Sequence, residues 1–282
     1  MDDLTTPPST SPPTRDFEVF ESATWEERAA GYESGFLQVT SRVVDHVLDA
    51  ARVGPGTRLL DVATGPGDIA GAAVGRGAVA TGVDIARAMV DIARRRWPGA
   101  RFKVGDAHAL PFPAGAFDSV TAGFALMHLG RPEVAVADWV RVLAPGGYLA
   151  VSVWDERSRV GVLGEVLDAI DACGAPWPAT IPDGPSFFRF SDGDELARLL
   201  GGAGLADVAV TTTAFDHRIA TGRQLWDWVI GGTVRTAAVV LGQPPGAQER
   251  IRQVFLERVE RHRRGASLVV PVSVKVASGS AR

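Results

Sequence analysis

A glycine loop between acidic residues is the part of this chain best suited to chemistry. An apolar run leads to Asp61, the loop Ala63-Thr64-Gly65-Pro66-Gly67 follows, and a helical pattern opens at Asp68. Glycine has no Cβ, so Gly65 and Gly67 allow the backbone to turn sharply and to approach a ligand closely. In an open α/β sheet, ligands bind at the carboxyl end of such a strand.

The charge around this loop indicates which ligand it would take. Gly65-x-Gly67-x-x-Ala70 satisfies the dinucleotide fingerprint, in which a pyrophosphate lies at a helix N-terminus. However, Asp61 and Asp68 flank the loop, and carboxylates repel a pyrophosphate. S-adenosylmethionine carries an ammonium and a sulfonium and has no phosphate. The loop therefore favours that cofactor, with an NAD-dependent oxidoreductase as an alternative.

A second carboxylate has the spacing of a ribose ligand. Asp84 closes the next predicted strand, nineteen positions after Gly65. A carboxylate about twenty residues beyond the glycine loop can accept hydrogen bonds from both ribose hydroxyls. The alternative is that Asp84 caps the helix predicted over 87–97. We favour the ribose role, with Ile85 and Met89 forming an apolar wall for the adenine.

Five motifs in order across residues 57–154 resemble those of the class I S-adenosylmethionine-dependent methyltransferases. They lie at 61–67, 82–85, 105–107 with 110–112, 117–120 and 143–147. The chain is most similar to the ubiquinone/menaquinone-type branch, which also contains many natural-product methyltransferases. The resemblance implies an α/β fold with a Rossmann-like, doubly wound sheet of seven strands, six parallel and one antiparallel. N-terminal helices and a helical lid insertion would complete it.

The resemblance also implies how the chain holds S-adenosylmethionine and the product S-adenosylhomocysteine. Asp106 and the Ala107 N–H would read the adenine edge, and Tyr32 would touch the methionine end. The alternative for Tyr32 is a packed aromatic residue. The predicted cofactor-binding residues are Tyr32, Asp61, Ala63, Thr64, Gly65, Gly67, Asp84, Ile85, Met89, Gly105, Asp106, Ala107, Gly123 and Phe124.

One histidine is placed for proton transfer. His128 follows the predicted fourth strand, which begins at Phe117, where the family has its methyl-transfer face. Its near-neutral pKa suits the removal of a proton from a hydroxyl or an acidic carbon. The alternative is a pocket-lining histidine without proton transfer. The motif position 122–124 is apolar, so the Asn-Pro-Pro-Tyr signature of amino-group methylation on nucleic acids and proteins is absent.

Aromatic side chains outside the cofactor motifs predict an apolar pocket for a hydrophobic or aromatic small molecule. The first alternative is that these rings pack lid helices onto the sheet. The second is that the insertion forms a dimer contact, which leaves a monomer and a homodimer both open. The predicted substrate-binding residues are Trp25, Phe36, Met127, His128, Trp154, Trp177, Phe188 and Trp226.

The length of 282 residues suits one domain with additions. We predict a disordered tail over 1–15, which is rich in Thr, Pro and Ser, and an N-terminal helical cap over 16–56. The methyltransferase domain would cover 57–282, with lid segments at about 156–190 and 217–266.

Several classes of protein are disfavoured by composition. The net charge of −4 argues against a nucleic-acid partner. The single cysteine, Cys173, permits no internal disulfide, no apolar run reaches the length of a membrane span, and no secretory signal opens the chain. We therefore expect a cytoplasmic protein. No His-x-x-x-His pair or cysteine cluster predicts a metal site.

These features predict an S-adenosylmethionine-dependent methyltransferase acting on O or C, less readily on N, of a small molecule in quinone-type or natural-product biosynthesis. The alternative from another class is a protein of the same fold that binds the cofactor but catalyses another reaction, such as a cyclisation, or only binds a ligand. It stays open because cofactor motifs report binding and not transfer.

Overall fold

The computed structural model describes residues 15–282. The tail predicted over 1–15 lies outside the described residues except for Arg15, which begins the first helix. Eight strands form one sheet: β1 (Arg58–Val62), β2 (Val79–Asp84), β3 (Arg101–Val104), β4 (Phe117–Gly123), β5 (Leu143–Trp154), β6 (Ala206–Ile219), β7 (Arg263–Arg264) and β8 (Ser267–Ser280).

The strand order is β3-β2-β1-β4-β5-β8-β6, and β7 pairs with β8 at its side. Strands β1 to β5 are parallel, whereas β8 runs antiparallel to both β5 and β6. The predicted doubly wound sheet, with six parallel strands and one antiparallel strand in its interior, is confirmed. The eighth strand is the two-residue β7, which folds back on β8 through a turn at Gly265, where φ is +62°.

Helices cover both faces of this sheet. Alternate residues of β1 point to opposite sides, so Leu59 joins one core cluster and Leu60 joins the other. The first cluster is covered by α3 (Val44–Ala50), α4 (Asp68–Gly75) and α5 (Arg87–Arg96), and the second by α6 (Pro132–Arg141), α7 (Gly161–Ala172) and α8 (Gly193–Gly202). The sheet is therefore buried on both sides, and its strand ends are left for a ligand.

The N-terminal segment is helical almost throughout. Helix α1 (Arg15–Gly31) continues through a π-helical turn, Tyr32–Phe36, into α2 (Leu37–Thr40). The glycines at positions 31 and 35 predict an interruption between two helices, and this prediction is wrong because the chain widens there and does not break. These glycines instead allow a close approach: a Cβ on Gly31 would overlap the Gly231 carbonyl, and one on Gly35 would overlap the Trp228 ring.

Those neighbours belong to the insertion between β6 and β8. The Gly- and Pro-rich stretch 242–246 predicts two helical segments in this insertion. The structure has three helices, α9 (Gly222–Gly232), α10 (Arg235–Leu241) and α11 (Pro245–Val259). The extra break lies at Thr233, whose hydroxyl accepts a hydrogen bond from the Ala237 N–H and starts α10. The N-terminal helices and α9 thus pack together. Within residues 15–282, no helix is long and apolar enough to cross a membrane.

Candidate active site

A cavity of about 660 Å³ lies at the carboxyl ends of the parallel strands. One side of it is made by residues that follow the strands, from Ala63 after β1 to Trp154 at the end of β5. The other side is made by α1, the turn 32–36 and the start of α10. The cavity includes the switch point between β1 and β4, where ligands bind in doubly wound sheets.

The two glycines of the loop have different roles. Gly65 lies on the cavity wall at φ +52°, and a side chain there would project into open space. Gly67, at φ +85°, is not on the wall, because the space of its missing side chain is filled by Phe102 and Trp97. Gly65 therefore leaves room for a ligand, and Gly67 allows the loop to pack on the fold.

Two buried carboxylates lie beside this loop. Asp61 accepts hydrogen bonds from the hydroxyls of Thr64 at 2.5 Å and Thr121 at 2.9 Å. Asp84 accepts from the Gly65 N–H at 2.8 Å and the Ala86 N–H at 2.9 Å. Burial raises the pKa of Asp61 to about 7 and that of Asp84 to about 6. A ligand that brings positive charge or hydroxyl donors would favour the ionised carboxylates.

Asp84 does not cap helix α5. The residue before that helix, Ala86, makes no side-chain cap bond, and Asp84 binds its N–H from outside the helix. In the first turn of α5, the Ala88 N–H instead donates to the Glu26 carboxylate, at 3.1 and 3.2 Å from its two oxygens. Glu26 comes from α1 and also lines the cavity, so α1 is attached to the strand side next to Asp84.

The predicted adenine residues gather at one end of the cavity. Ile85, Met89, Gly105, Asp106 and Ala107 all lie on its wall. One oxygen of Asp106 is 2.8 Å from the His108 N–H and 2.9 Å from the ring Nδ1. The Trp139 indole N–H donates to the Ala107 carbonyl at 2.8 Å. The loop after β3 is thereby held in place, with backbone groups and a carboxylate at the wall.

Aromatic rings form the wall beyond β4. Gly123 and Phe124 both line the cavity, and Phe124 has the uncommon φ of +53°. Its N–H donates to both the carbonyl and the hydroxyl of Ser152, at 2.9 and 3.2 Å. This fixed backbone places the Phe124 ring 4.2 Å from that of Trp154, and Phe36 lies 5.9 Å from Trp154 on another side.

Tyr32 is a packed aromatic residue beside the cavity, and its contact with the cofactor stays a prediction. It lines the cavity, and its ring contacts Trp25 edge-on at 5.5 Å. Its hydroxyl is 2.8 Å from that of Thr40 in the same N-terminal segment, and burial raises the pKa of the phenol well above its usual range. The hydroxyl is therefore neutral, and its hydrogen bond with Thr40 holds α2 to the turn 32–36.

His128 lies on the cavity wall within a charged network. Its Nδ1 is 2.9 Å from Oε2 of Glu21, a residue of α1 that is only 3% exposed. The other carboxylate oxygen of Glu21 is 3.3 Å from Nε of Arg235, at the start of α10. The rings of Trp25 and Phe187 flank the imidazole edge-on, with centroids 5.1 and 5.8 Å away.

Four of the predicted substrate residues do not reach the cavity wall. Met127 is buried in the core next to His128, and Trp226 packs on Phe255 at 5.4 Å. Trp177 lines a separate space of about 30 Å³, and Phe188 packs behind Phe187 at 5.2 Å. Sequence composition identifies aromatic residues but not the face that each one presents.

Three residues of the site escape prediction from sequence. Glu21 and Arg235 are ordinary charged residues of helical segments, and their only signal is burial, which the fold creates. Phe187 lies next to the predicted Phe188 in a Pro- and Gly-rich loop, where no periodicity sets the side that faces inward. Among the described residues, no group of three His, Cys, Asp or Glu side chains could hold a metal ion.

This arrangement fits S-adenosylmethionine. The open face at Gly65, the carboxylates near it and the apolar wall at Ile85 and Met89 match a ligand with a cationic end, a ribose and an adenine. A pyrophosphate would face the buried acids Asp61 and Asp84 across the same loop, which is electrostatically unfavourable.

Known methyltransferases are similar to this chain in sequence. The family described as "Methyltransferase domain" matches residues 60–151. A demethylmenaquinone methyltransferase from Renibacterium salmoninarum is 33% identical over 171 residues, which cover 58% of this chain and 72% of the relative. A ubiquinone/menaquinone biosynthesis C-methyltransferase from Azotobacter vinelandii is 31% identical over 179 residues, which cover 57% of this chain and 70% of the relative.

A solved structure extends the likeness over nearly the whole fold. The crystal structure of a SAM-dependent methyltransferase from Thermotoga maritima matches with a TM-score of 0.55 and 19% identity, covering 92% of this chain and 99% of its own. The protein is an enzyme that uses S-adenosylmethionine to methylate a small molecule. The chain belongs to the class I S-adenosylmethionine-dependent methyltransferases, in their ubiquinone/menaquinone-type branch.

Proposed function

We propose that this enzyme methylates an oxygen or a carbon atom of a hydrophobic aromatic small molecule of the phenol or hydroquinone type. The observation that carries the proposal is the position of His128, on an aromatic cavity wall and bound through Nδ1 to a buried carboxylate. A neutral amine is nucleophilic without losing a proton, whereas a hydroxyl or an acidic carbon becomes a much better nucleophile when a base removes its proton.

The walls near His128 suit a flat apolar ring. Trp25, Phe36, Phe124, Trp154 and Phe187 all lie on the cavity surface. Aromatic pairs favour edge-on and offset arrangements, and the rings of this wall already adopt several of them. A substrate ring among these side chains would be shielded from water, and its hydroxyl would reach the polar end at His128.

The hydrogen bond at Nδ1 determines what the other ring nitrogen can do. A carboxylate only accepts hydrogen bonds, so a neutral His128 carries its proton on Nδ1, and Nε2 is an acceptor. Nε2 would take the proton of the substrate hydroxyl, which raises the electron density on that oxygen and on the neighbouring ring carbons. The ionised Glu21 would stabilise the resulting imidazolium.

When bound, S-adenosylmethionine supplies a methyl group on a positively charged sulfur. The residues of this chain would align it and exclude water, and alignment contributes up to roughly 10 kcal/mol in such reactions. The names of the two relatives, which refer to menaquinone and ubiquinone, support a quinone-type ring as the acceptor. The structure would hold the cofactor with the predicted residues Asp61, Asp84 and Gly65.

The test is label transfer from methyl-labelled S-adenosylmethionine to a panel of hydroquinones, phenols, polyphenolic polyketides and aromatic amines. We expect labelled product with the first three classes, identified as O- or C-methylated by mass spectrometry and NMR. Label on the amines alone would contradict the proposal, as would cofactor binding in calorimetry without transfer to any member of the panel.

The role of His128 is tested by His128→Ala. We expect turnover to fall about 10²-fold or more, because a positioned acid–base group contributes about that factor. S-adenosylhomocysteine affinity, measured by calorimetry, should change little. His46→Ala is the matched control, since His46 is exposed on α3 and does not line the cavity. A loss of less than about threefold in His128→Ala would exclude proton transfer by His128.

A further inference from the structure

Glu21 has no role in the function derived so far beyond its contact with His128. It is buried, comes from the middle of α1, and binds a different partner with each oxygen: His128 through Oε2 and Arg235 through Oε1. Residues 21 and 128 are 107 positions apart, so no local sequence interaction holds them together. Only the packing of α1 over the strand ends brings the two side chains into contact.

Arg235 is held in place beside the Glu21 carboxylate. Its guanidinium donates to the carbonyls of Pro185, at 2.7 Å, and of Met127. The rings of Phe17 and Phe187 lie on the guanidinium at 5.3 and 5.0 Å. Arg235 is only 5% exposed, so the group cannot turn to solvent. Oε1 of Glu21 faces the guanidinium as an ion pair at 3.3 Å, and Oε2 faces the imidazole.

Helix α1 is attached to the strand side at two further points. Near its start, Glu18 binds Nε of Arg131 at 2.9 Å. Near its end, Glu26 binds the N–H of Ala88, as described above. Glu18, Glu21 and Glu26 all line the cavity, so α1 covers it with a row of carboxylates that reach across to other segments. The helix that covers the cavity thus also carries Glu21, the partner of His128.

We propose that Glu21 is a positioning residue, carried by α1, that sets His128 as a proton acceptor only while α1 covers the cavity. This inference rests on the proposed function of His128. With α1 in place, the carboxylate holds the proton on Nδ1 and leaves Nε2 free to accept. With α1 displaced, that preference is lost. Deprotonation of the acceptor is therefore coupled to closure of the site over both ligands.

The decisive variant is Glu21→Gln, which keeps the size of the side chain. The amide has one oxygen, and the positive charge of Arg235 favours that oxygen over the NH₂ group on its side. The NH₂ group therefore faces His128 and donates to Nδ1. The neutral imidazole must then carry its proton on Nε2. We expect ¹⁵N–¹H NMR of histidine-labelled protein, without cofactor or substrate, to show the Nδ1–H form in the unaltered protein and the Nε2–H form in this variant.

Retention of the Nδ1–H form in Glu21→Gln would overturn the inference. The control is Glu27→Gln, on the same helix but away from the cavity wall, which should leave the His128 signals unchanged. This readout does not depend on activity. If His128→Ala proves fully active, the proposed proton transfer fails, while the NMR result still decides whether Glu21 positions the ring.

Turnover gives a second, independent measurement. Glu21→Gln should lower kcat roughly 10-fold or more with less than a twofold change in KM for the cofactor. In a His128→Ala background the same substitution should lower kcat by less than about twofold, because a residue that acts through His128 has nothing left to act on. Equal losses in both backgrounds would show that Glu21 acts independently and would overturn the positioning role.

The coupling to α1 is tested by the double variant Glu18→Ala/Glu26→Ala, which loosens both ends of the helix and leaves Glu21 in place. We expect the His128 signals to change from the Nδ1–H form to a mixture of forms, while the melting temperature confirms a folded protein. An unchanged Nδ1–H form, together with faster release of S-adenosylhomocysteine, would show that α1 opens without affecting His128 and would overturn the coupling.

Discussion

The two sides of the cavity are built by different means. On the strand side, the loops after β1, β2 and β3 give a wall that is mostly backbone and short side chains, such as the Gly65 N–H bound to Asp84. On the cap side, the polar contacts join side chains far apart in sequence, such as Glu21 with His128 and Arg235. The first side depends on local loop geometry, and the second depends on how separate helices pack.

This difference explains which ligand each side can recognise. A wall made of backbone N–H groups and one or two carboxylates suits a cofactor that stays the same throughout the family. The opposite wall is made of side chains from α1, from α10 and from the loop that contains Phe187. Each amino-acid substitution there changes the shape of the wall that the acceptor would meet. The comparison therefore predicts that substitutions in the loops after β1 to β3 affect cofactor binding or the fold. Substitutions on the cap side, or after β4 and β5, should instead affect the acceptor substrate.

The largest effects should come from the glycine loop. Gly67→Ala places a methyl group within 2.9 Å of both the Phe102 and Trp97 rings, at φ +85°. Left-handed backbone costs about 1–2 kcal/mol and overpacking a similar amount or more, so we expect a loss of about 2–4 kcal/mol in the free energy of unfolding. Chemical denaturation of the cofactor-free protein measures it.

Gly65→Ala is the matched variant, because it has the same backbone strain without the overlap. Its methyl group enters the cavity, so the unfolding free energy should fall by only about 1–2 kcal/mol. Affinity for S-adenosylhomocysteine should fall about 10-fold or more in calorimetry, since a closely packed ligand has no room for an added methyl group. If Gly67→Ala loses affinity but not stability, the roles assigned to the two glycines are reversed.

The strand side and the general fold were open to prediction from sequence because their signals are local. Alternating apolar residues, glycines in the turn and an acidic residue at a strand end each fix nearby backbone, and Asp84 lies where its spacing predicts. The roles of Glu21 and Phe187 could not be predicted from the sequence. Their roles come from burial and facing directions that arise only after segments far apart in the sequence have packed together.

The cap side is tested by a pair of neighbouring rings. Phe187 lies on the cavity wall and Phe188 packs behind it. Phe187→Ala removes apolar contact surface, so KM for an aromatic acceptor should rise about 10-fold with little change in cofactor affinity. Phe188→Ala should lower the melting temperature with a smaller change in KM. Equal KM values for the two variants would show that the acceptor does not contact this loop.

The buried acids of the strand side make both stability and binding depend on pH. Burial raises the pKa of Asp61 to about 7 and that of Asp84 to about 6, above their values in an unfolded chain. Between about pH 4 and 7 the unfolded chain therefore binds fewer protons than the folded protein, and stability falls as pH rises. We expect the cofactor-free melting temperature to drop by about 2–4 °C or more over that range.

The cofactor should reverse this trend. Its positive charge favours ionised Asp61, so binding releases protons, and S-adenosylmethionine affinity should rise from pH 5 to 8. S-adenosylhomocysteine lacks the sulfonium charge and should show a shallower rise. Calorimetry at several pH values, with Asp61→Asn for comparison, measures both slopes. An affinity that falls with pH would mean that the carboxylates bind the cofactor in their protonated form.

The smallest effect should be found where the two sides meet. Glu26 joins α1 to the N-terminus of α5, and an exposed carboxylate at a helix N-terminus contributes about 0.3–1 kcal/mol. Glu26→Ala should therefore release S-adenosylhomocysteine about two- to fivefold faster, as followed by stopped-flow tryptophan fluorescence from Trp25 on the cavity wall. The same substitution also removes a negative charge that raises the pKa of Asp84, so it favours the ionised form of Asp84. Because burial is the larger cause of that shift, the loss of the helix contact should dominate. Slower release than in a Glu27→Ala control would mean that the charge effect prevails and that α1 is held mainly by Glu18 and Glu21.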